Sequence, residues 1–277
     1  MKAKYPLSQL LILLIVITIP KSSIAQWTTL NQSSTTDLYW NVFFIDSNIG
    51  YIIGLNGQTL NYWAVKTING GMDWNDASPA LIAEHPISIF FTDTNTGYIS
   101  GIDKISKTIN GGSSWTPYNL GLGSTVFLNN IYFYNTTVGY ATAWNTNTNA
   151  HYMVHTTNSG LSWTTSEGGT SSDTGCNSIF CTDANTCYVA GFNGGKGIYK
   201  TTNGGTIWTN IFNPSEVNLY SVYFITASDG VAVGGNKSIQ RIYQTLDGGV
   251  NWNEVYTGSG RELKSVFFTD AHTGYAV

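Results

Sequence analysis

One eleven-residue phrase recurs along the chain and limits what it can become. It begins at Lys66 (KTINGGMDWND), Lys107 (KTINGGSSWTP), His155 (HTTNSGLSWTT), Lys200 (KTTNGGTIWTN) and Gln244 (QTLDGGVNWNE). Its tryptophans, Trp74, Trp115, Trp163, Trp208 and Trp252, are spaced by 41, 48, 45 and 44 residues. A second phrase keeps step: FFIDSNIGY at 43–51, FFTDTNTGY at 90–98, YFYNTTVGY at 132–140, FCTDANTCY at 180–188, YFITASDGV at 223–231 and FFTDAHTGY at 267–275. A period near 45 residues with strand-like content and no amphipathic helical pattern predicts an all-β propeller of four-stranded blades.

Each unit parses into four strands. Between 177 and 212 these are NSIFCT, CYVAGF, GIYKTT and IWTNIF, with DANT and NGG as the tight turns. Runs such as YVAG lack alternation, as strands covered on both faces do. All five corners fit Thr-x-(Asn/Asp)-x-Gly-x-x-Trp. The Asn or Asp (Asn69, Asn110, Asn158, Asn203, Asp247) is expected to accept hydrogen bonds from turn N–H groups. The glycine is expected to supply positive φ, and the tryptophan to pack between layers.

These corners resemble the Asp-box, or bacterial neuraminidase repeat, of sialidase-like propellers. The full unit is similar to the photosystem II assembly and stability factor-like propeller family, from Trp27 to Val277. That resemblance implies a propeller whose corners face away from the binding end, and a role in protein assembly without catalysis. It carries fold more strongly than function. A sialidase carboxylate site needs three converging arginines, and this chain has two, Arg241 and Arg261. A glycoside hydrolase or lyase with two carboxylates stays open as the alternative. Its candidate acids are Asp37, Glu84, Glu167, Asp173, Glu216 and Glu262, in connections that share one end.

The N-terminus reads differently. Lys2 and Lys4 precede an apolar run from Leu10 to Ile19, followed by Ser23-Ile24-Ala25. Residues 1–25 are expected to be a secretory signal peptide, leaving a propeller over 26–277 that is secreted, at the cell surface or periplasmic. Ten apolar residues are too few to span a bilayer, so no membrane insertion is expected after cleavage. Removing Lys2, Lys4 and Lys21 leaves nine basic against 16 acidic residues. With no basic cluster, nucleic acid is an unsuitable partner.

No cofactor or metal site is expected. His151 and His155 lie four apart on a strand, roughly 13 Å between Cα atoms, too far to share an ion. GxSxG and HExxH are absent. Two of the three cysteines, Cys181 and Cys187, replace Phe91 and Gly97 of the aligned unit on opposite sides of one turn. A bridge between them is expected, worth about 2 kcal/mol for so short a loop, with Cys176 free. The expected function is a monomeric binding module for a protein or a glycan. Its candidate contacts are Tyr62, Trp63, Trp144 and Tyr152 on the variable loops, with Arg241 and Arg261.

The ends of the chain carry one more expectation. Trp27 aligns with the tryptophan opening a fourth strand, and the last unit stops inside its second. Five complete units lie between two partial ones. Seven units of this mean spacing need about 310 residues, and 252 remain after residue 25. A six- or seven-bladed ring continuing past Val277 is therefore expected.

Overall fold

The computed structural model describes residues 37–59, 61–77, 85–170, 177–192 and 197–277. The expectations on the signal peptide, Trp27, Glu84, Asp173 and Cys176 lie outside the described residues. Every element within them is a strand. Blade I holds β1 (Asp37–Phe44), β2 (Gly50–Asn56), β3 (Tyr62–Thr67) and β4 (Asn75–Asp76). Blade II holds β5 (Ser88–Phe91), β6 (Gly97–Ser100), β7 (Lys104–Thr108) and β8 (Thr116–Asn119). Blade III holds β9 (Val126–Phe133), β10 (Gly139–Asn145), β11 (Ala150–Thr156) and β12 (Thr164–Thr170). Blade IV holds β13 (Ser178–Cys181), β14 (Cys187–Phe192), β15 (Gly197–Thr201) and β16 (Thr209–Phe212). Blade V holds β17 (Asn218–Phe224), β18 (Gly230–Gly235), β19 (Ile239–Thr245) and β20 (Asn253–Ser259). Blade VI holds β21 (Val266–Phe268) and β22 (Gly274–Ala276).

Five sheets have four strands in sequence order, and the sixth has two. Neighbours in a sheet run antiparallel. The first strands pack in succession, β1 on β5, β5 on β9, β9 on β13, β13 on β17 and β17 on β21. Second strands of blades I to V are covered on both faces, as in the wholly buried β6 and β18, whereas β22 of blade VI is mostly exposed. Fourth strands such as β4 and β20 are mostly exposed and form the outer edge. This is a β-propeller of four-stranded blades.

A repeated joint holds one blade on the next. The Tyr51 ring of blade I stacks 4.2 Å from Phe91 of blade II. Its hydroxyl donates to the Gly111 carbonyl at 2.9 Å, and Lys66 Nζ donates to the same oxygen at 2.9 Å. The Lys66 ammonium also lies 5.2 Å from the Tyr51 ring centre. Tyr98 and Lys107 repeat this on the Ser159 carbonyl, at 2.8 and 2.7 Å. Tyr188 and Lys200 repeat it on Gly248, both at 2.8 Å. Burial pushes the Tyr51 hydroxyl up to about 12, so it is a donor throughout the neutral range. Desolvation also lowers the Lys66 pKa.

The glycine opening each second strand belongs to the same device. A Cβ on Gly97 would lie 2.4 Å from the Phe91 ring, and one on Gly139 would lie 2.5 Å from Phe133. The first-strand ring lies over the bare backbone and reaches the preceding blade's tyrosine. Blade IV dispenses with both members. Cys181 pairs with Cys187 across β13 and β14, and the two form a disulfide with Cα atoms 4.0 Å apart. A side chain at 187 requires the ring at 181 to be gone, so the two changes are coupled sterically. The joint between blades III and IV changes with them. His155, standing where lysine stands elsewhere, stacks 5.1 Å from the Tyr140 ring, whose hydroxyl donates instead to Ala184 at 2.9 Å. At the joint from V to VI, Val231 and Gln244 replace the tyrosine and lysine, and Val231, Val233 and Ile242 pack on Val266 and Phe268.

Two outcomes follow. Because Gly111 is buried, its carbonyl stays satisfied when one donor is lost and is stranded when both are. Tyr51→Phe and Lys66→Met should each cost about 1 kcal/mol in urea unfolding, and the double variant more than their sum. Strict additivity would contradict the shared acceptor. Non-reducing peptide mapping should recover Cys181 linked to Cys187, and a linked peptide containing Cys176 would contradict the pairing.

Candidate functional site

Two ends of the molecule compete for function. One end gathers the corners and the turns from first to second strand. The other gathers the connections from second to third strand and from blade to blade.

The threonine and the Asn or Asp of each corner bond within their own loop. In blade I, Thr67 Oγ1 donates to Asn69 Oδ1 at 2.9 Å and accepts from Gly71 N at 2.9 Å, while Asp73 N donates to Asn69 Oδ1 at 2.9 Å. The same bonds recur at Asn110, Asn158, Asn203 and Asp247. Gly70 and Gly71 have φ of 71° and 89°, a region open to glycine at low cost. The tryptophan packs edge-on against its own blade's first-strand ring, with Trp115 6.0 Å from Phe91, Trp163 5.9 Å from Phe133 and Trp252 6.1 Å from Phe224. Trp74 does the same with Phe44, at 6.0 Å. Blade IV has lost that ring, and Trp208 meets Tyr140 of blade III at 6.5 Å.

Polarity in the corner is paired rather than fixed. Asn69 Nδ2 donates to Asp73 Oδ2 at 2.9 Å, whereas in blade V Asn251 Nδ2 donates to Asp247 Oδ2 at 2.7 Å. Donor and acceptor have changed places. Hydrogen bonds from the Asn251 backbone and side chain hold the Asp247 carboxyl below the usual range. In the adjoining turns, Asp46 accepts from Asn48 N and Ile49 N at 2.7 and 2.8 Å, and Asn135 fills the same place in blade III.

The opposite end carries an aromatic cluster built from blades I and III and the connection entering blade II. Tyr62, the first residue of β3, lies 5.9 Å from Trp40 at an 88° interplanar angle. On its other side the Tyr62 ring is 4.6 Å from His85, and its hydroxyl contacts His85 Nδ1. His85 in turn lies 6.5 Å from Phe127 of blade III. His85 has φ of 59°, in the left-handed region that histidine enters more readily than most non-glycine residues. Beside them Trp63 lies 5.2 Å from Tyr39, and a Cβ on Gly54 would be 2.4 Å from the Trp63 ring. Tyr39 and Trp40 are both exposed, at 46% and 39%.

Of the candidates from the sequence, Tyr62 belongs to this cluster and Trp63 stands beside it. Trp144 is half-buried and pairs in register with Phe127. Tyr152 packs on the core of blades II and III. Arg241 makes an ion pair with Glu254 at 3.1 Å within blade V. Arg261 is exposed on the connection from blade V to VI, so neither arginine belongs to the cluster of blades I to III. Trp40, His85 and Phe127 were not singled out by the sequence. Placing Trp40 and Phe127 near the starts of their repeats, where blade-to-blade connections enter, would have found two of them. Glu216 and Glu262 are the connection acids with described side chains, and Glu262 pairs with Lys264 at 3.0 Å. Among the described residues no group of three His, Cys, Asp or Glu could hold a metal ion.

Comparison with known proteins identifies the architecture. No family model matches the sequence, and no curated protein matches it. Solved structures do match. YCF48 from Cyanidioschyzon merolae is 17% identical with a TM-score of 0.61, covering 87% of this chain and 93% of that one. YCF48 bound to D1 peptide is 16% identical with a TM-score of 0.52, covering 87% and 89%. The GH74 enzyme of Niastella koreensis is 17% identical with a TM-score of 0.57, covering 78% of this chain and 38% of that one. The chain has the fold of a YCF48-like β-propeller.

The corner geometry generates a test. Asn69→Asp places a second carboxylate face to face with that of Asp73. It should lower the melting temperature at pH 7, and adding Asp73→Asn, which recreates the blade V arrangement, should restore it. No recovery in the double variant would contradict the pairing.

Proposed function

We propose that this chain is an exported, non-enzymatic propeller that binds a partner protein at its loop-bearing end. The observation that carries this reading is the aromatic cluster of Trp40, Tyr62, His85 and Phe127, drawn onto one end from blades I and III and the connection entering blade II. Rings held against one another lose little freedom on binding, and aromatic side chains anchor protein interfaces. Trp40 and Tyr39 stand out to solvent as the first contacts. The likeness to YCF48, one structure of which holds a D1 peptide, supports a bound peptide segment as the ligand. The signal-like N-terminus supports export.

A glycan is the second reading. Exposed tryptophan and tyrosine rings also stack on sugar faces, and the GH74 propeller shares the fold. The two readings separate in one experiment. Mature chain and its Trp40→Ala/Phe127→Ala variant are cross-linked to native partners in parallel and applied to a glycan array. A protein partner lost on substitution, with an empty array, supports the first reading. Array binding lost on substitution supports the second. A partner set unchanged by substitution would remove the aromatic cluster from both.

A further inference from the structure

The corner end carries a feature that the corner does not need. At the position after the repeat threonine, Ile68, Ile109 and Leu246 are 65%, 73% and 54% exposed. At the position after the glycine pair, Met72, Leu161 and Val250 are 80%, 63% and 74% exposed. In blade IV, Ile207 is 63% exposed one position further on. Every described corner thus points an aliphatic side chain into water. Thr157 and Thr202 occupy the first of these positions in blades III and IV, and Ser113 and Thr206 the second in blades II and IV. The corner folds equally well with polar residues there. These tips leave the corner end with exposed apolar side chains that the fold itself does not use.

Beside these tips lie grooves. One of about 350 Å³ is lined by Lys66, Ile68, Asp76, Ala77, Gly112 and Ser113, between blades I and II. Another of about 450 Å³ is lined by Pro117, Leu120, Leu161 and Trp163, between blades II and III. The same end exposes the turn carboxylates Asp46, Asp93, Asp183 and Asp270. Three lysines offset part of this charge, Lys200 acting directly on Asp183, while exposed Asp73 and Asp247 on the corners keep carboxylates in excess. Lys66, Lys107 and Lys200 are turned onto carbonyls within the joints. The surface is therefore acidic with aliphatic tips at blade spacing. Like charge disfavours a second copy of the same face, nucleic acid and an anionic membrane.

We propose that the corner end is a second docking surface, for a basic protein segment carrying aliphatic side chains. The aliphatic residues would enter the grooves and the lysines or arginines would meet the turn carboxylates. Several blades engage at once, so contacts that are weak singly add through high effective concentration.

The repeat supplies substitutions that another blade already tolerates. The aliphatic set is Ile68→Thr/Ile109→Thr/Leu246→Thr, after Thr157 and Thr202. The charge set is Asp93→Asn/Asp183→Asn, after Asn135. The probe is a labelled fifteen-residue peptide of alternating lysine and leucine, titrated against the whole chain by fluorescence anisotropy. Each set should weaken binding, and the combined variant at least tenfold, with the melting temperature unchanged. Trp40→Ala at the opposite end should leave this binding intact, which separates the proposal from the loop-end reading. Equal affinity for the combined variant would overturn it. So would equal binding of a lysine and serine peptide, or tighter binding of vesicles rich in phosphatidylglycerol. Should the aliphatic set melt lower, the charge set alone is decisive, and unchanged affinity there overturns the proposal.

Discussion

The structure depends on a shared carbonyl acceptor at three of the five joints between its described blades. At three joints, a tyrosine hydroxyl and a lysine ammonium from one blade converge on a corner carbonyl of the next. Blades have broad apolar faces that would slide on hydrophobic contact alone, since such contact is non-directional. One charged and one neutral donor on a single oxygen fix the offset between neighbours. The stacked tyrosine and phenylalanine then supply area once that offset is set.

The corner is therefore both a turn and the receiving half of a joint. Its threonine, asparagine and glycine hold the loop so that the carbonyl presents outward to the previous blade. This explains why its interior bonding is so regular while its tips vary. Interior residues are fixed by backbone N–H groups that must be paired. Tip residues face water, and their identity is free to serve something outside the fold. Blade IV shows how far the joint can drift. It replaces its own ring and glycine with a disulfide, while blade III puts histidine in the lysine's place and keeps its tyrosine in contact by redirecting the hydroxyl to Ala184 of blade IV.

The two ends divide the work differently. At the loop-bearing end, side chains far apart in sequence converge, and Trp40, Tyr62, His85 and Phe127 form one chain of rings. At the corner end, the same repeat position returns blade after blade, which creates a periodic surface. Each is suited to a different kind of partner, a single anchored segment in one case and a multiply contacted one in the other.

The blade itself was legible in the order of the residues. Turn residues at fixed offsets, a period near 45 and unbroken apolar second strands are local signals, and the bonds they encode lie within a few residues of one another. Thr67, Asn69 and Gly71 could be read for that reason, and so could the facing of Cys181 and Cys187 across one turn. What the repeat's lysine and tyrosine do emerged only once the blades were stacked. The acceptor for Lys66 is Gly111, 45 residues further along the chain, and no local pattern names it. Stacking also settled which loop aromatics meet. Tyr62 joined a cluster while Tyr152 turned into the core and Arg241 into an ion pair. A connection's composition says that it is exposed and variable, but its neighbours are set by how one blade lies on the next.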